Sequence, residues 1–191
     1  MVIQLEDKRI SFICLDLETT GLDPESDCIL EIGITLTDKD LKPIDSFESI
    51  VWPTVQLDIM NDYVYNMHST SGLLRDLDSS QGNIPSVDVV ENSILEWFKS
   101  YGLEVDKFPM MGSSVHFDRS FLRQHMPDLE GFFTFMNIDI SSIKQLVRIW
   151  DPNSKWIRSG TKSHRALDDI EDTLDEASFY YNKFFNRSKN A

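Results

Sequence analysis

Basic side chains are scarce in this 191-residue chain: 18 Lys and Arg stand against 32 Asp and Glu, a formal net charge of −14. A broad groove that coats long nucleic acid works through many Lys or Arg contacts to phosphate, so the charge argues against that class of partner. It leaves room for a site that handles one or two phosphates. Cysteine is nearly absent as well. Cys14 and Cys28 are too few for a disulfide framework, and a reducing, cytoplasmic setting is expected. Met1 to Asp7 show no basic stretch leading into a long apolar one, so no secretory leader is expected. Nowhere do about 18 apolar residues follow one another, which argues against a membrane span. Repeats, low-complexity tracts and linkers are also missing. One domain is expected over residues 1–191, with frayed ends near 1–8 and 186–191, and it is long enough to bury a core without staples.

Apolar patterning supplies the architecture. Residues 10–17 form a nearly continuous apolar run, the mark of a central buried strand, and Gly21 to Pro24 break it. Leu30, Ile32, Ile34 and Leu36 then alternate with Glu31, Gly33 and Thr35, which predicts a strand with one covered face. Thr37 to Asp40 reads as a turn, and Ile44 to Trp52 as a third strand closed by Pro53. Three strands on short links make an antiparallel meander. Farther on, Val87, Val90, Ile94, Leu95 and Phe98 recur at helical spacing, with Gly102 where a C-terminal cap belongs. Phe108 to Met111, ending at Gly112, forms a fourth strand. A helix from about Asp118 to His125 stops at Pro127, and Ile138 to Trp150 holds a short strand and another helix. In the last helix Leu167, Ile170, Leu174, Ala177, Tyr181 and Phe184 are spaced 3, 4, 3, 4, 3, one apolar stripe. No period stands out over residues 53–86. The sum is an α/β fold, a mixed sheet with helices on its faces.

Most acids belong on a solvated surface, and Asp168, Asp169, Glu171, Asp172, Asp175 and Glu176 of the last helix would ordinarily form an exposed face. Asp16 and Glu18 fit that view poorly. They end the most apolar strand two residues apart, so both side chains point to one face. Adjacent carboxylates there repel and are costly to desolvate, and nearby in sequence only Lys8 and Arg9, at the strand's other end, offer positive charge. Hard divalent cations such as Mg²⁺ take carboxylate oxygens readily. Asp118 opens a middle helix, where Asp is also the ordinary N-cap choice. His164 precedes the last helix and Asp169 lies five positions on, beside Asp168; spacing alone does not choose between the two acids. Four carboxylates suit two divalent ions about 3.5–4 Å apart, the arrangement for in-line phosphoryl displacement. An imidazole titrating near neutrality suits the general base.

These residues carry a family resemblance. Asp16-Leu17-Glu18-Thr19-Thr20-Gly21-Leu22, then Ser114-Val115-His116-Phe117-Asp118-Arg119-Ser120-Phe121-Leu122, then His164-Arg165-Ala166-Leu167-Asp168-Asp169-Ile170 resemble the three ordered motifs of DEDDh 3′→5′ exonucleases. Within that superfamily the sequence is most similar to the oligoribonuclease family. Phe121 to Glu130, Ile138-Asp139-Ile140-Ser141-Ser142-Ile143-Lys144 and His68-Ser69-Thr70-Ser71-Gly72-Leu73 match further segments, and the resemblance covers roughly residues 10–185. It implies a ribonuclease H-like sheet, the antiparallel meander joined by parallel strands. It implies Asp16, Glu18, Asp118 and Asp169 as ligands of two divalent cations, Mg²⁺ or Mn²⁺, with His164 as general base. Here it selects Asp169 over Asp168. It implies that Thr19, Gly21 and Leu22 hold the 3′-terminal nucleotide, Leu22 wedged between the last two bases, and that His68, Ser114, Phe135, Ser141 and Lys144 approach the substrate. For Leu22 the plain alternative is a turn-flanking core residue.

The implied activity is metal-dependent release of nucleoside 5′-monophosphates from short single-stranded RNA, by a homodimer for which Trp150, Trp156 and Phe133 are candidate interface aromatics. Two departures bear on the substrate. Where oligoribonucleases carry a His-Tyr-Arg run that caps the far phosphate of a dinucleotide with the partner subunit, this chain has Thr134-Phe135-Met136, and Ser113 replaces an Asn. Phe135 can stack but not hydrogen-bond, and Met136 removes the charged fork. A broader exonuclease on longer single-stranded DNA or RNA is therefore the alternative. A non-catalytic binding module predicts broken motifs, yet all five positions are filled. Structural Ca²⁺ binding would call for an EF-hand-type loop, which is missing.

Overall fold

The structure, a computed structural model, describes residues 10–80 and 82–186. Lys8, Arg9 and the expected frayed ends at 1–8 and 186–191, Asn186 excepted, lie outside the described residues. Strands β1 (Phe12–Thr19), β2 (Ile29–Thr37) and β3 (Pro43–Ile50) form the antiparallel meander. Helices α1 (Asp62–Ser71), α2 (Leu73–Ser79) and α3 (Val87–Ser100) follow, then β4 (Met110–Gly112), α4 (Val115–His125), α5 (Pro127–Phe132), β5 (Asn137–Asp139), α6 (Ile140–Trp150) and α7 (Ala166–Tyr180). The sheet order is β3-β2-β1-β4-β5, with β4 parallel to both β1 and β5. The most apolar run thus becomes the central strand.

Side-chain alternation assigns the faces. Ile13, Leu15 and Leu17 of β1 and Ile32, Ile34 and Leu36 of β2 share one core with Ile94 and Phe98 of α3 and Phe121 of α4. Cys14 and Met111 join Ile170, Leu174, Ala177 and Tyr180 of α7 in a second core on the other face. A third cluster, with Cys28, Leu30, Val64 and Leu73, closes the end of the sheet beneath α1 and α2.

β2 departs from the sequence expectation of one covered face, because all nine of its residues are buried. Glu31, Gly33, Thr35 and Thr37 lie under α7, which packs on β1 and β2. Gly33 makes that approach possible. A Cβ there would sit 2.9 Å from the Ala166 Cβ and 3.0 Å from backbone at the start of α7.

Several other boundaries move for local reasons. β1 extends two residues beyond the expected end and so carries Glu18 and Thr19. Gly102 does cap α3, at φ +68°, with the Leu103 N–H donating to the Phe98 carbonyl at 3.1 Å. Pro127 opens α5 as well as ending α4, and the buried Glu91 accepts the Leu129 N–H at 2.9 Å. Residues 53–86 hold a 3-10 turn and two helices pivoting on left-handed Gly72. Only Val64 and His68 of α1 are buried, too narrow a stripe to read as a period. Tyr180 replaces the expected Tyr181 in the core, where its hydroxyl donates to Glu176 Oε1 at 2.7 Å. The chain widens into a π turn at Tyr181–Phe185, which changes the helical register. Phe133 is core, Trp156 is half-buried, and Trp150 is exposed. Among the described residues no helix is long and apolar enough to cross a membrane.

Gly33→Ala should lower the unfolding free energy by about 1–3 kcal/mol through overpacking against Ala166. Denaturant titration checks it, and wild-type stability would mean that α7 can give way.

Candidate active site

The site forms where β1 outruns its neighbour. β4 pairs with β1 only at Ile13 and Cys14, so the β1 backbone beyond them lacks a strand on that side. Asp118 supplies a partner instead, its Oδ1 accepting the Leu17 N–H at 3.1 Å. Asp118 is therefore no N-cap. α4 begins three residues earlier than expected, after a left-handed Ser114 at φ +63°, and its first turn buries the Asp118 carboxylate. The Asp139 carboxylate accepts the N–H groups of Ser114 (3.1 Å), Val115 (3.2 Å) and Ser141 (2.9 Å), tying the starts of α4 and α6 together. Burial opposes its charge, but the Ser141 hydroxyl and these N–H groups hold the Asp139 carboxyl below the usual range.

α7 brings the remaining groups. Its first turn buries Asp169, which lines the cleft, and leaves Asp168 exposed. Glu18, His164 and Asp169 each place a ligand atom within 4.8 Å of the other two. Asp16 and Asp118 line the same cleft, of about 430 Å³, within the ordinary range for a ligand site. Burial first, then repulsion from Asp16 and Asp169, pushes the Glu18 carboxyl up to about 8. Burial likewise pushes Asp118 up to about 8, and burial with repulsion from Asp118 and Asp169 raises Asp16 well above the carboxylate range. Burial, then the Lys162 charge, holds the His164 imidazole below its usual value.

The acids match a hard divalent cation on one specific observation. Asp169 Oδ2 meets Lys162 Nζ at 2.6 Å, while its Oδ1 is buried without a hydrogen-bond partner. An orphaned, desolvated carboxylate oxygen beside Glu18 and an imidazole is what an oxygen-seeking cation would satisfy.

Other expected residues fall into three groups. Thr19, Gly21 and Leu22 border the cleft. The Thr19 hydroxyl donates to the Gly21 carbonyl at 2.7 Å, and Leu22 is 80% exposed, so it is no core residue. Ser114 and Lys144 line an adjoining polar pocket of about 200 Å³ that shares Asp16, Lys162 and Asp169 with the cleft. Lys144 pairs with Glu176 there at 2.6 Å, and the Ser141 hydroxyl lies 3.5 Å from that of Ser114. His68 and Phe135 line neither cavity. His68 is fully buried, with Nε2 2.8 Å from the Thr19 carbonyl and Nδ1 3.7 Å from Glu18 Oε2. Phe135 is 87% exposed. Sequence reasoning missed Lys162, which lies two residues before His164 between Arg158 and Arg165. It also missed Tyr63, Asn61 and Met67, cleft residues from the stretch without a readable period.

Comparison with known proteins agrees with this geometry. The RNase_T family, described as exonuclease, matches residues 13–177. An oligoribonuclease of Ruthia magnifica subsp. Calyptogena magnifica is 39% identical over 94% of this chain and 98% of its own length. One from Cutibacterium acnes is 37% identical over 88% of this chain and 83% of its own. Among solved structures, the zinc-bound form of the Escherichia coli exonuclease I complex with single-stranded DNA superposes with TM-score 0.70 at 14% identity. It covers 94% of this chain, which spans 42% of that longer one. Cell-death related nuclease 4 superposes with TM-score 0.63 at 18% identity, covering 91% of this chain and 64% of that one. The fold is ribonuclease H-like, and the chain belongs to the exonuclease family and, within it, to the oligoribonucleases.

Proposed function

We propose that this protein is a metal-dependent 3′→5′ exoribonuclease that degrades short oligoribonucleotides to nucleoside 5′-monophosphates. The observation that carries this reading is the meeting of the Glu18 carboxylate with the sequence-distant His164 imidazole and Asp169 carboxylate, in the cleft that Asp16 and Asp118 also line. Asp16, Glu18, Asp118 and Asp169 would hold two divalent cations, Mg²⁺ or Mn²⁺. When bound, these supply Lewis acidity that stabilises the attacking and leaving oxygens of an in-line displacement.

The chain's own groups do the rest. His164, its imidazole held below its usual value by burial and the Lys162 charge, accepts a proton from the attacking water. The water oxygen bonds to phosphorus, the bond to the 3′ oxygen of the preceding residue breaks, and that oxygen takes up a proton. Thr19 and Gly21 shape the wall for the 3′-terminal nucleotide, with Leu22 exposed at its lip to meet a base face. His68 acts from behind that wall, through the Thr19 carbonyl and beside Glu18. Ser114, Ser141 and Lys144 suit the next phosphate.

Exposed apolar Leu146, Ile149 and Trp150 on α6, with Phe135 and Met136, support a homodimer. The buried free thiols Cys14 and Cys28 support a cytoplasmic setting, and shared cores on both sheet faces support one domain. A broader exonuclease on longer single strands is the second reading. Phe135 and the 56%-exposed Met136 favour it, because neither can grip a phosphate.

Asp169→Asn or Asp16→Asn should cut turnover about 100-fold or more with the fold intact. His164→Ala should cost about 10²- to 10⁴-fold at neutral pH while metal binding persists. Steady-state kinetics with circular dichroism decide, and near-normal rates in any variant remove that residue from its role. An end-labelled series of RNA and DNA from about 2 to 20 residues separates the two readings: the first expects the highest kcat/KM on the shortest RNA. Phe135→Tyr with Met136→Arg should sharpen that preference, and an unchanged profile would make the departure neutral.

A further inference from the structure

His164 sits in a segment with little backbone support. Among the described residues, no backbone hydrogen bond ties residues 155–164 to another element. His164 itself holds φ +55°, a left-handed conformation that a side-chain-bearing residue keeps only when its surroundings impose it. Its position must therefore be set by the side chains on either side. Upstream, Lys162 reaches Asp169, which belongs to the reacting cluster and cannot serve as an independent frame, and the Arg158–Asp172 pair at 2.7 Å lies six residues from His164.

Downstream the anchor is of another kind. Arg165 forms a fork with Glu31, Nη2 to Oε1 at 2.6 Å and Nε to the two carboxylate oxygens at 2.9 and 3.2 Å. Its Nη1 reaches Asp76 Oδ2 of α2 at 2.7 Å. Glu31 Oε2 also accepts the Ala166 N–H at 2.9 Å, so one carboxylate grips both the guanidinium and the first residue of α7. Glu31 is fully buried on β2, directly across from Glu18, and Gly33 on the same face lets Ala166 settle onto the strand. The fork gives Glu31 a cationic partner where two like charges would otherwise oppose each other across the strands.

We infer that Arg165, clamped between Glu31 and Asp76, is a positioning residue that holds the adjoining His164 in register with the catalytic acids. The inference rests on His164 being the general base. Arg165 touches no reacting atom; it transmits the geometry of the sheet to the neighbouring residue. Lys cannot reproduce the fork, so Arg165→Lys keeps the charge and loses the alignment.

A double-mutant cycle on the full-length protein, with a diribonucleotide at saturating Mg²⁺, tests this. Arg165→Lys should lower kcat about 10- to 100-fold, the cost of a misplacement near 1 Å, with KM within about twofold. In a His164→Ala background the same substitution should cost less than about twofold. Arg165→Met with Glu31→Met, which removes both charges together, serves if the single variant folds poorly, and the same non-additivity is expected. Equal losses in both backgrounds, or an unchanged kcat in Arg165→Lys, overturn the positioning role while leaving the base assignment intact. Near-normal turnover of His164→Ala with the clamp unaltered defeats the base assignment itself, and the inference with it.

Discussion

Everything in this molecule is arranged around the mutual repulsion of buried carboxylates. Asp16, Glu18, Asp118 and Asp169 come from three elements far apart in sequence, and the fold brings them into one cleft. Each loses hydration there and gains like-charged neighbours, which is why the carboxyls of Asp16, Glu18 and Asp118 lie above their ordinary range. A sequence selected only for stability would not assemble such a group. The unfavourable electrostatics is retained because the site needs it to attract and hold opposite charge.

Side chains outside the reacting group bear the cost of keeping it in place. Asp139 gathers the starts of α4 and α6 and so fixes the turn that carries Asp118. Glu31 and Arg165 fix the entry to α7, and Lys162 holds one oxygen of Asp169 while the other is left without a hydrogen-bond partner. Arg119 does similar work for the segment between α5 and β5. Its guanidinium binds the Thr134 carbonyl at 2.8 Å, the Asn137 side chain at 2.8 Å and Glu130 at 3.1 Å, holding the loop that presents Phe135 and Met136. That loop is therefore a formed surface, and it carries no cation.

Much of this was legible in the sequence, and the reasons differ by element. The stripe of α3 was readable because burial on one face leaves a period, the run at 10–17 because burial on both faces leaves a continuous apolar stretch, and the boundaries at Gly102 and Pro127 because of their backbone chemistry. The acids at 16 and 18 stood out because charge inside an apolar strand conflicts with local physics. β2 misled the eye: its polar alternate residues are covered by α7 through Gly33 and the Arg165–Glu31 pair, contacts that span more than a hundred positions. α1 hid for the opposite reason, since it buries only two side chains and exposes Tyr63, which borders the cleft. His68 was expected to approach the substrate; its ring is buried against the Thr19 carbonyl, a partner that leaves no mark in composition.

The central claim is that the cluster is unstable as a set of bare anions and is made for divalent cations. Unfolding free energy measured against pH, in EDTA and in Mg²⁺, tests it most directly. Glu18 and Asp118 have folded-state values near 8, above their ordinary 4.5 and 3.8. Their contribution is thus fully present below those ordinary values and is lost as pH rises through about 8. In EDTA, stability should fall between about pH 5 and 8.5, and Mg²⁺ should restore it most at the alkaline end, where the ionised acids bind the cation. A flat profile in EDTA that Mg²⁺ leaves unchanged would contradict the account.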